Sequence, residues 1–223
     1  SGDITSTTSF LAGDEHANHD GWTKLTEAIS GQTLTENGNY YLTGNVSLTN
    51  KVEIKADVTI CLCGHTITKD KIAFQVYPTG NLTICDCVGG GRVEAGNAIY
   101  MQSGTVTIKD VTIDGGSRSA IMEYSGSTIN VISGTITGGD GSNPTIKMNG
   151  GELHISGGII GDNSTNYSVE LSNESELYLS GNPTFVRKPN GAYTTYAEIY
   201  LAGQGSMLPF SSFLGSGYGL VPD

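Results

Sequence analysis

Charge is scarce in this chain, and basic charge scarcest. Of 223 residues, 15% are Asp, Glu, Lys or Arg, against about 25% in an average soluble domain. Only 11 are Lys or Arg, and the 22 acidic residues leave a formal net charge of −11. Phosphate backbones are held by clustered Lys and Arg that release counterions, so this balance excludes nucleic acid as a partner. No apolar run reaches the ~18 residues of a membrane helix, which excludes helical membrane insertion. Helix signals are confined to Thr23–Ser30, where Trp22, Leu25 and Ile29 mark one short amphipathic turn. Disorder is excluded as well, because 37% of the residues are hydrophobic and β-branched types occur throughout.

What the chain has in quantity is glycine, 32 residues of it, punctuating short alternating runs. Val58-Thr59-Ile60, Leu82-Thr83-Ile84, Val106-Thr107-Ile108, Ile129-Asn130-Val131, Leu153-His154-Ile155 and Leu177-Tyr178-Leu179 begin 24, 24, 23, 24 and 24 positions apart. A second set precedes them, from Phe74-Gln75-Val76 and Ile99-Tyr100-Met101 to Ile199-Tyr200-Leu201. A third follows, marked by Ile113, Ile136 and Ile159 at intervals of 23. Each unit thus carries three β segments with period-2 alternation, separated by Gly, Asn, Asp and Ser corners. A meander of hairpins would not make every third strand resemble its own kind, whereas a coil of one unit per turn does. The pattern predicts an all-β, right-handed, single-stranded parallel β-helix, each rung rising about 4.8 Å.

Val58, Leu82, Val106, Ile129, Leu153 and Leu177 are expected to point inward and their neighbours outward. Glu123 falls in an otherwise inward column between Met101 and Met148, which marks either a buried acid or a slipped register, and the slip is the favoured reading. The expected organisation is an N-terminal extension and cap over 1–50, the β-helix over 51–205 and a tail or cap over 206–223. The loosened repeat over 187–197 reads as an insertion. The start at Ser1-Gly2 and the end at Pro222-Asp223 suggest a piece of a longer, processed chain.

Three stretches carry a family likeness: Val58 to Ile67, Asn81 to Cys87, and His19-Asp20-Gly21-Trp22-Thr23-Lys24-Leu25 ahead of Asn39-Tyr40-Tyr41-Leu42. They resemble the pectate-lyase-like right-handed β-helix modules of large secreted or wall-attached proteins from gut Firmicutes. The resemblance implies a secreted or cell-wall-attached location and an adhesin-like or carbohydrate-associated role. Its partners would be glycans or host surface proteins, and the module would be a monomer.

The four cysteines form two C-x-C pairs, Cys61/Cys63 and Cys85/Cys87, one rung apart. At about 4.8 Å between stacked Cα atoms, disulfides Cys61–Cys85 and Cys63–Cys87 are within reach, as an exported protein would favour. A stack of free thiols is equally compatible. A four-thiolate metal site is the third reading, although zinc knuckles use C-x2-C. No metal is assigned on the sequence, and His16, His19 and His65 read as turn or cap residues.

For catalysis the strongest pattern is Asp86 one rung below Asp110, with Lys109 and Asp114 near, a pairing that raises one pKa or holds Ca²⁺. These are read instead as turn residues whose removal the fold should survive. The Arg-x-Pro-x-x-Arg run of pectate lyases and the Asp-Asp and Gly-His-Gly signatures of polygalacturonases are missing. The candidate ligand-binding residues are Tyr77, Tyr100, Tyr124, His154 and Tyr178, outward aromatics suited to stacking on sugar rings. The expected function is therefore a non-catalytic adhesion or glycan-binding module. The alternatives are a uronide-specific polysaccharide lyase or hydrolase and a pure spacer.

Overall fold

Two- to five-residue β segments bounded by residues that accept positive φ cannot form a flat sheet of long strands. They turn a corner every few residues, and stacking like on like is the arrangement that buries their apolar faces. The computed structural model describes residues 19–187, 199–201 and 206–208. Its architecture is a parallel β-solenoid of the right-handed type, about 24 residues per turn and about 7 turns, with about 2% helix. The hand is the one favoured for parallel crossovers.

Three parallel sheets run the length of the coil. The first has eight strands, from Thr23–Leu25 and Gly38–Leu42 through Asp57–Cys61, Asn81–Cys85, Thr105–Lys109, Thr128–Val131 and Glu152–Ile155 to Glu176–Leu179. The second runs from Thr33–Leu34 and Val52–Ile54 through Ile121–Glu123 to Ile199–Leu201, where Ser206–Leu208 adds an antiparallel strand. The third runs from Val46–Ser47 to Thr184–Val186. Corners are made by left-handed residues such as Cys63 (φ 50°) and Gly64 (φ 76°). At Gly91 space decides instead, because a Cβ would lie 2.7 Å from Leu62 Cβ and 2.8 Å from the Asp86 carboxylate.

The core is the sum of the inward columns. Val58, Leu82, Val106, Ile129 and Leu153 stack in register, each no more than 1% exposed. Each such side chain contributes about 1.5–3 kcal/mol of burial. In the third sheet Ile136 pairs with Ile160, not with Ile159, which is exposed. That turn is a full 24 residues, so the interval of 23 expected from Ile159 is corrected to Ile160. The register at Glu123 does not slip either: it pairs with Met101 and is fully buried. Its Oε1 accepts from the Ser125 N–H, from the Ser127 N–H at 3.2 Å and from the Ser127 hydroxyl at 3.3 Å, while Oε2 accepts from the Asn149 N–H at 2.6 Å. A carboxylate with this many donors is tolerated inside where an unpaired one is not.

The ladder is already under way in the segment expected as a cap. Thr23–Leu25 pairs with Gly38–Leu42, and Leu25, Leu34, Leu42 and Val46 join the common core. The expected helical turn is a single 3₁₀ turn, Glu27–Ile29, with the Thr26 hydroxyl accepting from the Ala28 N–H at 3.4 Å. No helix among the described residues is long and apolar enough to cross a membrane. His16, the insertion over 188–197 and the tail beyond Leu208 lie outside the described residues.

Leu153→Asp should cost more than about 4 kcal/mol, because its charge enters a column without donors. His154→Asp, on the outer face beside Glu152, should cost about 1 kcal/mol. Urea unfolding of both variants checks this, and equal losses would overturn the parity of the strand.

Candidate functional site

Alternation sends Cys61 outward from the first sheet, since Ile60 and Leu62 on either side are inward and fully buried. Yet Cys61 is itself 0% exposed. The outer face is covered there by the segment entering the first strand. The His19 ring stacks on Tyr41 at 5.0 Å with 17° between planes and meets Trp22 edge-on at 5.0 Å. Tyr41 is the ladder neighbour of Cys61, and Cys85 is its neighbour on the other side. Cys63 shares the outer face with Cys61 because i and i+2 of an extended chain do, and its left-handed backbone begins the corner.

All four cysteines are free thiols. Cys61 Sγ lies 3.4 Å from Cys87 Sγ and 3.7 Å from Cys63 Sγ, and the Cys63 and Cys87 sulfurs are 3.9 Å apart. His19 Nε2 lies 3.6 Å from Cys63 Sγ and 3.9 Å from Cys87 Sγ. Together these four atoms fall within 4.8 Å of one another. Cys85 is set aside from them, its thiol donating to the Ile60 carbonyl at 3.7 Å. Hydrogen bonding from Cys85 pulls the Cys61 thiol well below the usual range against the opposing effect of burial, and His19 adds to the pull. The same hydrogen bond, with burial, pushes Cys85 up. Burial raises Cys63 to about 11 and raises Cys87 as well. His65, by contrast, is the turn residue it was read as, donating its N–H to the Leu62 carbonyl at 2.9 Å.

The carboxylates divide. Asp86, 5% exposed, accepts from the N–H groups of Gly64 at 2.7 Å and Val88 at 3.4 Å on one oxygen, and of Gly91 at 2.7 Å on the other. It ties the corner after one rung to the corner after the next. Asp110 is exposed and accepts from the Ser133 hydroxyl at 2.6 Å. Asp114 accepts from Arg92 at 3.3 Å and from the Gly116 N–H at 2.8 Å. Lys109 is the ladder neighbour of Cys85. Asp86 is therefore a turn residue on which three backbone donors depend, so its removal is expected to lower stability more than that of Asp110.

The aromatics also divide. The Tyr77 hydroxyl donates to Glu53 Oε1 at 3.1 Å, and Lys55 Nζ sits 4.5 Å above its ring. His154 and Tyr178, in register, stack at 4.4 Å with 6° between planes, so one face of each ring is covered by the other. Tyr100 and Tyr124 lie 6.2 Å apart with 35° between planes, and Tyr124 is 57% exposed. On the third sheet a polar depression of about 300 Å³ is lined by Lys69, Glu94 and Asp114.

The sequence missed His19. It lies 44 residues from Cys63 and carries no motif of its own, and only its place just ahead of the first strand hinted at a covering role.

Asp86→Asn turns one acceptor oxygen into a donor facing a backbone N–H and should lower stability by about 2–4 kcal/mol. Asp110→Asn keeps a residue tolerant of positive φ and should stay within about 0.5 kcal/mol. Denaturant midpoints of the two variants measure the contrast.

Set against protein-family models, curated proteins and solved structures, the chain matches none of them.

Proposed function

We propose that the chain is a non-catalytic β-solenoid module of a secreted or wall-attached bacterial surface protein, and that it binds glycans through aromatic side chains of its outer face. The observation that carries this reading is the Tyr100–Tyr124 pair, which offers tilted rings, Tyr100 on a strand paired on both sides and Tyr124, 57% exposed, directly after the neighbouring strand. Rings held this way lose little freedom on binding, and their faces suit the C–H surfaces of sugars. The neighbouring Asn97, which donates to the Ser119 carbonyl at 3.2 Å, shows that amide side chains also stand on this face.

The resemblance to pectate-lyase-like modules supports the setting, and the commitment of both Asp86 oxygens to backbone amides supports the absence of catalysis. Tyr77 and the His154–Tyr178 stack are better suited to holding the outer ladders together, because their hydroxyls or ring faces are already engaged.

A glycan array probed with the unmodified chain should give binding that Tyr100→Ala with Tyr124→Ala weakens about tenfold or more while the unfolding midpoint stays put. Uronide polymers with added Ca²⁺ should yield no unsaturated products. Binding unchanged by the double substitution, or product release, would overturn the proposal.

A further inference from the structure

Four ligand-type atoms on the outer face of the first sheet describe a polyhedron. A zinc ion at the centre of a tetrahedron, about 2.3 Å from sulfur and 2.0–2.1 Å from nitrogen, requires S···S edges of about 3.8 Å and S···N edges of about 3.6 Å. The three S···S separations among Cys61, Cys63 and Cys87 are 3.4, 3.7 and 3.9 Å. The two S···N separations from His19 to Cys63 and Cys87 are 3.6 and 3.9 Å. The sixth edge, from His19 to Cys61, is within 4.8 Å. Three soft sulfurs and an imidazole in tetrahedral array select zinc over the hard, oxygen-seeking cations.

We propose that His19 Nε2 and the sulfurs of Cys61, Cys63 and Cys87 form a structural zinc site that fastens the N-terminal segment to the first complete rungs. The unusual C-x-C spacing follows from the fold. Knuckle sites use C-x2-C because a tight turn presents residues three apart, whereas an extended strand presents i and i+2, with Leu62 between them turned into the core. The third sulfur comes from the rung above, where Cys87 repeats the place of Cys63. All four coordination positions belong to the protein, so the site is closed and its role is to hold rather than to react. Its surroundings suit that role: Tyr41 and Trp22 fix the plane of the His19 ring, and the Cys85 thiol lies outside the set, donating to the Ile60 carbonyl.

The test uses the full chain, purified with reductant, stripped with chelator and then loaded with Co²⁺ followed by Zn²⁺. One equivalent should bind. Co²⁺ should give thiolate charge-transfer absorption and the intense visible bands of tetrahedral coordination, and Zn²⁺ should displace it. His19→Gln and Cys63→Ser, at half-buried positions where folding is expected to persist by circular dichroism, should weaken zinc by more than the ~10–100-fold that loss of an outer partner costs. Cys85→Ser should stay within that range and keep the tetrahedral cobalt spectrum. Several results would overturn the proposal: a folded, reduced protein that binds no stoichiometric metal, undiminished affinity in His19→Gln, or loss of the cobalt spectrum in Cys85→Ser. So would a reduced protein that takes up no zinc while its air-oxidised form carries a Cys61–Cys87 disulfide in peptide mapping.

Discussion

Rung-to-rung hydrogen bonding is the constraint from which the rest of this molecule follows. Because each strand of the coil, Ser206–Leu208 apart, pairs in parallel with the strand one turn away, a residue's nearest lateral neighbour is the one about 24 positions along the chain, at about 4.8 Å. Chemistry is therefore copied in columns. Inward columns become a continuous apolar core in which the Val58 to Leu153 positions differ by no more than one methylene. Outward columns bring like groups side by side whether or not they attract. Glu152 and Glu176 are ladder neighbours, and the repulsion is relieved by His154, with Nε2 2.9 Å from Glu152, and by the Tyr178 hydroxyl, which donates to Glu176. Where opposite charges fall in one column, as Lys147 and Glu170 do at 2.8 Å, the ladder sets the pair for them.

The same copying explains why polar groups enter the interior without orphaned atoms. Among the described residues no buried side-chain nitrogen or oxygen lacks a hydrogen-bond partner. Corners supply the donors. Corners leave N–H groups that the ladder does not use, and a carboxylate can gather those of its own rung and of an adjacent one, as Asp86 does for Gly91 and Gly64 and Glu123 does for Ser125, Ser127 and Asn149. These acids stitch successive turns together beyond the backbone ladder.

Columns were legible in the sequence because a column is a repeat. The inward set, its parity and the coil of about 24 residues all follow from where Val, Leu and Ile recur. What the repeat does not encode is a residue that appears once. His19 belongs to no column, and its meeting with Cys63 and Cys87 depends on how the entering segment lies across the outer face. Glu123 was misread for a related reason: alternation says that a position is inward but not that three backbone amides wait there. The Ile159–Ile160 dipeptide is the converse case, two adjacent apolar residues of which only the register chooses one.

A solenoid is strongest in its middle, where each rung is paired on both sides, and weakest at its ends, where one side of a rung has no ladder partner. Groups proposed to meet a ligand are best placed on the middle rungs, where Tyr100 stands on a strand paired both below and above and Tyr124 directly follows the next one. The groups that close the structure are best placed near an end, where His19, just ahead of the first strand, lies against the cysteines that follow the Asp57–Cys61 and Asn81–Cys85 strands. The cysteines on those rungs thus sit where a fastening does most, and the tyrosines where rigidity already exists. That division follows from the pairing alone, since an ion at mid-coil would fasten strands that the ladder already holds, and an aromatic platform near the open edge would inherit its fraying.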